Sequence, residues 1–133
     1  MFIDEMANRL IDAKKSADFQ LERLKILSIS DRYAIADSIR KFVAYKMLLE
    51  DHEVTDNITE MVRINVAKAM HISVSELKDM DKPGMCGSAP AVLSKRILLF
   101  IDIQNKLGVK LPAEQTPEIQ TVQELTDMLI PLL

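Results

Sequence analysis

The sequence predicts an all-α fold, and three observations carry that expectation. Apolar residues recur at steps of three and four along most of the chain, the spacing that gathers them on one side of a helix. The composition is rich in Leu, Ile, Met, Ala, Lys and Glu, with 3 Gly and 5% aromatic residues in 133, which favours helix over sheet. Ser, Thr, Asn or Asp stands ahead of most later apolar stripes, where a side-chain oxygen can accept the free N–H groups of a first helical turn.

From Ile3 the residues Met6, Leu10, Ala13, Ala17, Leu21, Leu24 and Leu27 form one stripe, which predicts a helix of about 25 residues with Ser16 as the one place it could break. Ser28, Ser30 and Asp31 make a cap cluster before a second stripe, Ile35, Ile39, Phe42 or Val43, and Met47, ending near Glu50. So short a turn between two helices predicts an antiparallel hairpin over residues 1–50. Glu50 to Asp56 is an acidic joint with no apolar period, taken as the boundary before a second segment, residues 57–133.

In that second segment Asn57 with Glu60 has the form of a capping box, and Ile58, Val62, Val66 and Met70 follow at strict four-residue steps. His71-Ile72 interrupts the period, and Ser73 with Glu76 opens a short helix ending around Asp79. Asp81 to Ser88 is irregular, with Pro83-Gly84 as its turn signal. Pro90 suits a first helical turn, which makes Ser88 or Ala89 the N-cap of a central helix running to Leu107, with Gly108 as its stop. The run Ile97-Leu98-Leu99-Phe100-Ile101-Asp102-Ile103 carries one charge and is expected to be buried, Ile97 and Phe100 in the core. Val109 to Pro112 is extended, and Thr121 caps a last helix bearing Val122, Leu125, Met128 and Leu129, closed by Pro131.

A net charge of −3 spread over many charges of both signs gives no basic field for nucleic acid and no polybasic patch for anionic lipid. A single cysteine, Cys86, excludes intrachain disulfides and leaves a four-ligand zinc site little to work with. Acids stand where a signal peptide needs a basic region, and no window reaches the ~20 apolar residues of a membrane span, so a cytoplasmic protein without membrane insertion is expected. His52 and His71 are too few for a metal cluster or an acid–base pair, and Gly84 to Gly87 falls far short of a phosphate-binding loop. Cys86 has no recognisable base beside it in sequence. No catalytic residue and no metal is expected.

Two blocks carry a resemblance. The first is the edge Ile58, Val62, Val66, Met70 with Ile72 and the short Ser73–Leu77 helix. The second, and more specific, is Leu107-Gly108-Val109-Lys110-Leu111-Pro112, followed by Ile119 and by Thr121-Val122-Gln123. Together they make residues 57–130 resemble an acyl carrier protein, a phosphopantetheine carrier, and more loosely the acyl-carrier-related proteins of bacterial peptide-maturation systems. The resemblance implies a four-helix bundle behind the N-terminal hairpin. It also implies a 4'-phosphopantetheine esterified to a serine in an Asp-Ser-Leu motif at the start of the long helix, where backbone N–H groups and the helix dipole favour a phosphate.

That motif is missing. The family's spacing, counted back from Leu107, lands on Leu93, with no acid before it. Ser88 stands at the loop-to-helix junction but about five residues early, and Ser94 is one residue off and inside the helix; their ordinary roles would be an N-cap and a tolerated helical serine. The family's long helix is usually acidic, whereas here Lys95, Arg96, Lys106 and Lys110 stand against Asp102 alone. The expectation is a non-enzymatic carrier-like interaction module with no cofactor, its Lys95, Arg96 and Lys106 facing a partner protein with an acidic docking face. The alternatives are an active carrier with its arm on Ser88 or Ser94, and a helical adaptor that forms a homodimer through residues 1–50.

Overall fold

The computed structural model describes residues 2–27, 30–80 and 89–133. These residues form six α-helices and no strand: α1 (Phe2–Ile26), α2 (Arg32–Lys46), α3 (Ile58–Met70), α4 (Val74–Met80), α5 (Ala89–Leu107) and α6 (Val122–Leu129). The expected all-α class is what the molecule has. The long first helix continues through Ser16 without a break.

Local chemistry explains most boundaries. Asp31 caps α2, its carboxylate accepting from the Ala34 N–H at 3.1 Å. Ser73 and Glu76 form a reciprocal capping box on α4, at 3.1 and 3.3 Å. On α3 only half of the expected box exists. Asn57 accepts from the Glu60 N–H at 2.9 Å, but the reciprocal role falls to Thr55, whose hydroxyl accepts from the Asn57 N–H at 3.1 Å. The Glu60 carboxylate turns instead to Arg63 and Lys78.

Two helices stop on non-glycine residues in the left-handed region, Leu48 after α2 (φ 55°) and His71 after α3 (φ 58°). Each turn lets N–H groups reach back to late carbonyls, Leu49 to Ala44 at 3.0 Å and Ile72 to Ala67 at 3.1 Å. Gly108 ends α5 in the same way at φ 66°, without the Cβ cost, and the Val109 N–H reaches the Gln104 carbonyl at 3.1 Å.

The N-termini of α3 and α6 are tied together. Asn57 and Thr121 form an isolated antiparallel bridge, with the Ile58 N–H on the Gln120 carbonyl at 2.8 Å and the Val122 N–H on the Asp56 carbonyl at 2.7 Å. Each helix start thus sends a backbone donor that has no partner inside its own helix to the chain leading into the other. The side chains of Thr59 and Gln120 repeat the link at 2.6 Å.

One hydrophobic core gathers residues of both segments, from Ala17, Leu21 and Leu24 of α1 through Ile35, Ile39 and Phe42 of α2 to Ile103 of α5 and Leu125 and Leu129 of α6. α1 packs along α2 and also touches α5, while α6 lies on α2. The acidic joint between the segments holds a 3-10 turn, Asp51–Glu53, with its own capping box. It is a connection across a shared core.

Burial departs from the apolar pattern in α1, at the end of α3, where Met70 of the four-residue stripe is 41% exposed, and in α5. Leu10 belongs to the α1 stripe yet is exposed, because the chain leaves α2 at Leu48 and Leu49 beside Arg9 and Ala13. The central run is buried on one side only. Leu99, Phe100 and Ile103 are core, but Ile97, expected there, is 47% exposed, with Leu98 at 64% and Ile101 at 45%. Six apolar residues with a single aspartate among them wrap every face of a helix, and among the described residues no element covers the outer one.

Candidate functional site

The site to judge is the beginning and outer face of α5. Its approach, residues 81–88, lies outside the described residues, and with it Ser88 and Cys86. Leu93, where the carrier spacing puts the modified serine, is 49% exposed on the second turn of α5, and Ser94 beside it is exposed as well. Ser94, Ile97, Leu98 and Ile101 share an arc of the helix turned away from Leu99 and Ile103, and Leu93, seven residues before Phe100, borders that arc on the Phe100 side. The outer face is therefore mainly apolar, with the Ser94 hydroxyl and the Asn105 amide in it and no charge.

The three cations expected to dock a partner are mostly engaged within the molecule. Arg96 is turned inward and is 8% exposed. Its Nη2 donates to the carbonyls of Ile119 and, at 3.4 Å, Pro117, and its guanidinium lies over the Phe100 ring, 5.9 Å from the centroid. Burial pushes its pKa below the usual arginine value, and Arg63 nearby pushes in the same direction. A guanidinium stays charged regardless. Arg96 is thus a clip between α5 and the Thr116–Glu118 turn, which corrects its expected place on a docking surface.

Lys106 pairs with Asp18 of α1 at 2.9 Å. The Asp18 hydrogen bond, and then the charges of Asp18, Asp102 and Glu22, hold its pKa above the usual lysine value against the opposing effect of burial. Lys95 is half-buried and donates to the Asn65 side-chain oxygen of α3. Among the described residues it meets no carboxylate, so it is the one expected docking cation left without an acidic partner. Lys110 is exposed beyond the end of α5.

Between α5 and the C-terminal end of α2 runs an open groove of about 440 Å³. Met47, Leu98, Leu99 and Ile101 give it an apolar floor, and the Lys46–Asp102 ion pair, at 3.0 Å, stands on its wall. A smaller cavity of about 60 Å³ lies on the other side of α5, between Leu93, Ile97 and Phe100 and the Thr116-Pro117 turn. Among the described residues no group of three or more His, Cys, Asp or Glu could hold a metal ion. His52 and His71 are both exposed, one on the 3-10 turn and the other closing α3. Among the described residues no helix is long and apolar enough to cross a membrane.

Sequence reasoning missed the groove and the exposed arc of Ile97, Leu98 and Ile101. The helical spacing shows that these residues lie opposite Leu99 and Ile103, but both arcs are apolar, so the sequence does not say which is covered. No family model matches the chain, and comparisons with curated proteins and with solved structures find no match either.

Proposed function

We propose that the chain is a non-enzymatic, acyl-carrier-like interaction module of a biosynthetic or peptide-maturation pathway, acting through the outer face of α5 and carrying no phosphopantetheine arm. The observation that carries this reading is Leu93. The position that would bear the arm is an exposed leucine, at the head of an apolar face rather than a site of esterification. The order of α3 to α6 and the Gly108 turn into the buried Leu111 support a carrier-type arrangement.

With Arg96 buried and Lys106 paired, docking depends on the apolar arc, and the preference for an acidic partner rests on Lys95 and Lys110. Apolar contact then supplies most of the affinity, while those two charges bias orientation and partner choice.

A second reading, an active carrier with its arm on Ser94, is favoured by the exposure of that hydroxyl. Intact-mass spectrometry after incubation with coenzyme A and a broad-specificity phosphopantetheinyl transferase separates the two. The expected result is no change in mass. A gain of about 340 Da, the mass of the transferred arm, overturns the first reading. Repeating the reaction on Ser94→Ala and Ser88→Ala then locates the arm.

A further inference from the structure

We propose that the groove between α2 and α5 receives one amphipathic helix of a partner protein, apolar along the side that enters and acidic where it meets Lys95. This deepens, and rests on, the reading of this face as an interaction surface. The charges around the groove favour that occupant. Its lining holds two cations, Lys46 and Lys95, and one anion, Asp102. Asp102 is held by Lys46 at 3.0 Å, and its charge also acts on Lys106. Lys95 therefore leaves the groove net positive at the end nearer the start of α5, and a carboxylate from a partner is the charge that end lacks.

Lys95 is also held in place for such a contact. Asn65 of α3 donates through Nδ2 to the Met47 carbonyl at 2.8 Å and accepts from Lys95 through Oδ1. One amide thus joins the end of α2 to α5 and steadies the ammonium group at the groove. An ammonium has three donors, so Lys95 can keep Asn65 and still take a carboxylate. Further along α5, Asp102 turns a carboxylate away, which sets the direction of a helix whose acid lies at one end of its contact.

The walls favour a helix over an extended peptide. Both are helical and offer no strand edge with which an extended segment could pair. The side chains of Leu98, Ile101 and Asn105 instead form a ridge at steps of three and four, between which those of an incoming helix can interleave. From Lys95 to Asn105 this wall runs roughly 15 Å, about three turns of a partner helix. Such a contact falls short of an interface of standard size and is therefore weak and reversible.

Fluorescence anisotropy of the full chain with two synthetic helices tests this. Each is a fluorescein-labelled peptide of about 16 residues with Leu on one stripe, one peptide carrying Glu and Ala on the other faces and the second Lys and Ala. The Glu helix is expected to bind with a Kd on the order of 10–100 μM, and the Lys helix at least tenfold more weakly. The net charge of −3 would favour the Lys helix in a non-specific encounter, so this order reports the groove rather than the whole chain. Lys95→Glu should reverse the order, and Lys95→Gln should bring the two helices within about threefold of each other. Leu98→Ser, at a position 64% exposed, should weaken the Glu helix at least tenfold with an unchanged far-ultraviolet helix signal. Amide shifts on adding the Glu helix to the isotope-labelled chain should gather at Lys46, Met47 and residues 95–105. Lys95→Gln and the amide shifts keep the test decisive if Lys95→Glu does not fold.

An absence of binding by the Glu helix overturns the proposal, as do a preference that ignores both changes at Lys95 and amide shifts confined to other faces. Equal binding of both helices in the groove overturns the acidic occupant and leaves the face an interaction surface. Sedimentation of the chain alone at twice its 15.1 kDa mass, abolished by Leu98→Ser, would place a second copy in the groove and also overturns it. None of these results bears on the absence of the arm, which the mass measurement on the coenzyme A reaction decides separately.

Discussion

Arg96 shows how far a residue's type can be from its use. In sequence it sits beside Lys95 in a basic stretch, and a docking role follows from that company. In the structure its Nη2 reaches both the Pro117 and Ile119 carbonyls and its guanidinium lies over Phe100, work that suits a planar, delocalised cation better than a lysine. Replacing it should therefore cost stability before it costs binding. Arg96→Ala is expected to lose about 2–3 kcal/mol in denaturant unfolding, from a void and two unpaired carbonyls, while Lys110→Ala at the surface stays within about 0.5 kcal/mol. Equal small losses for both would return Arg96 to the surface. The sequence did not reveal this because nothing local to Arg96 encodes the turn it grips, more than twenty residues later. Ser73, Asp31 and Thr121 were legible as caps for the opposite reason, since donor and acceptor lie within one turn.

Among the elements, α5 was located correctly and its burial misjudged. The stripe rule works when one arc of a helix is polar, as in α6, where Val122, Leu125 and Leu129 are fully buried and Gln123, Glu124 and Asp127 are exposed. On α5 both arcs are apolar and the rule has nothing to choose with. Phe100→Ala should cost about 3–5 kcal/mol, as for a fully buried ring, whereas Ile97→Ala should cost no more than about 1 kcal/mol. Equal losses would mean that the outer face is covered in the free chain.

The joint between α2 and α3 carries a pH-dependent element of its own. The Glu50 N–H, donating at 2.9 Å, and then Lys68 hold the Glu53 carboxyl below the usual glutamate range. A lowered pKa means that the charged carboxylate favours the folded state above the ordinary glutamate value. That contribution disappears as pH falls through the folded value. Glu53→Gln should therefore be less stable than the parent at neutral pH, by no more than about 1 kcal/mol, and indistinguishable from it in acid below both values. A difference that persists unchanged into strong acid would assign the effect to packing instead.

At the scale of the molecule, the acidic joint suggested two segments, and the packing joins them through a common core. Lys106–Asp18 and Lys46–Asp102 tie the hairpin to α5, and Arg32 pairs with Asp127 across α2 and α6. Such pairs add little energy each, so the shared apolar contacts matter more. Thermal unfolding followed by helix signal and by calorimetry should show one transition with matching enthalpies. Two separated transitions would mean that residues 1–50 and 57–133 fold independently.

The bridge between Asn57 and Thr121 has a consequence for the chain as it is being made. α6 covers α2 and is anchored at the head of α3, yet it is synthesised after both. Until it has docked, α2 lacks part of its final cover and the donor at Ile58 lacks its acceptor at Gln120. The cover of α2 is thus completed only when the last helix, α6, arrives.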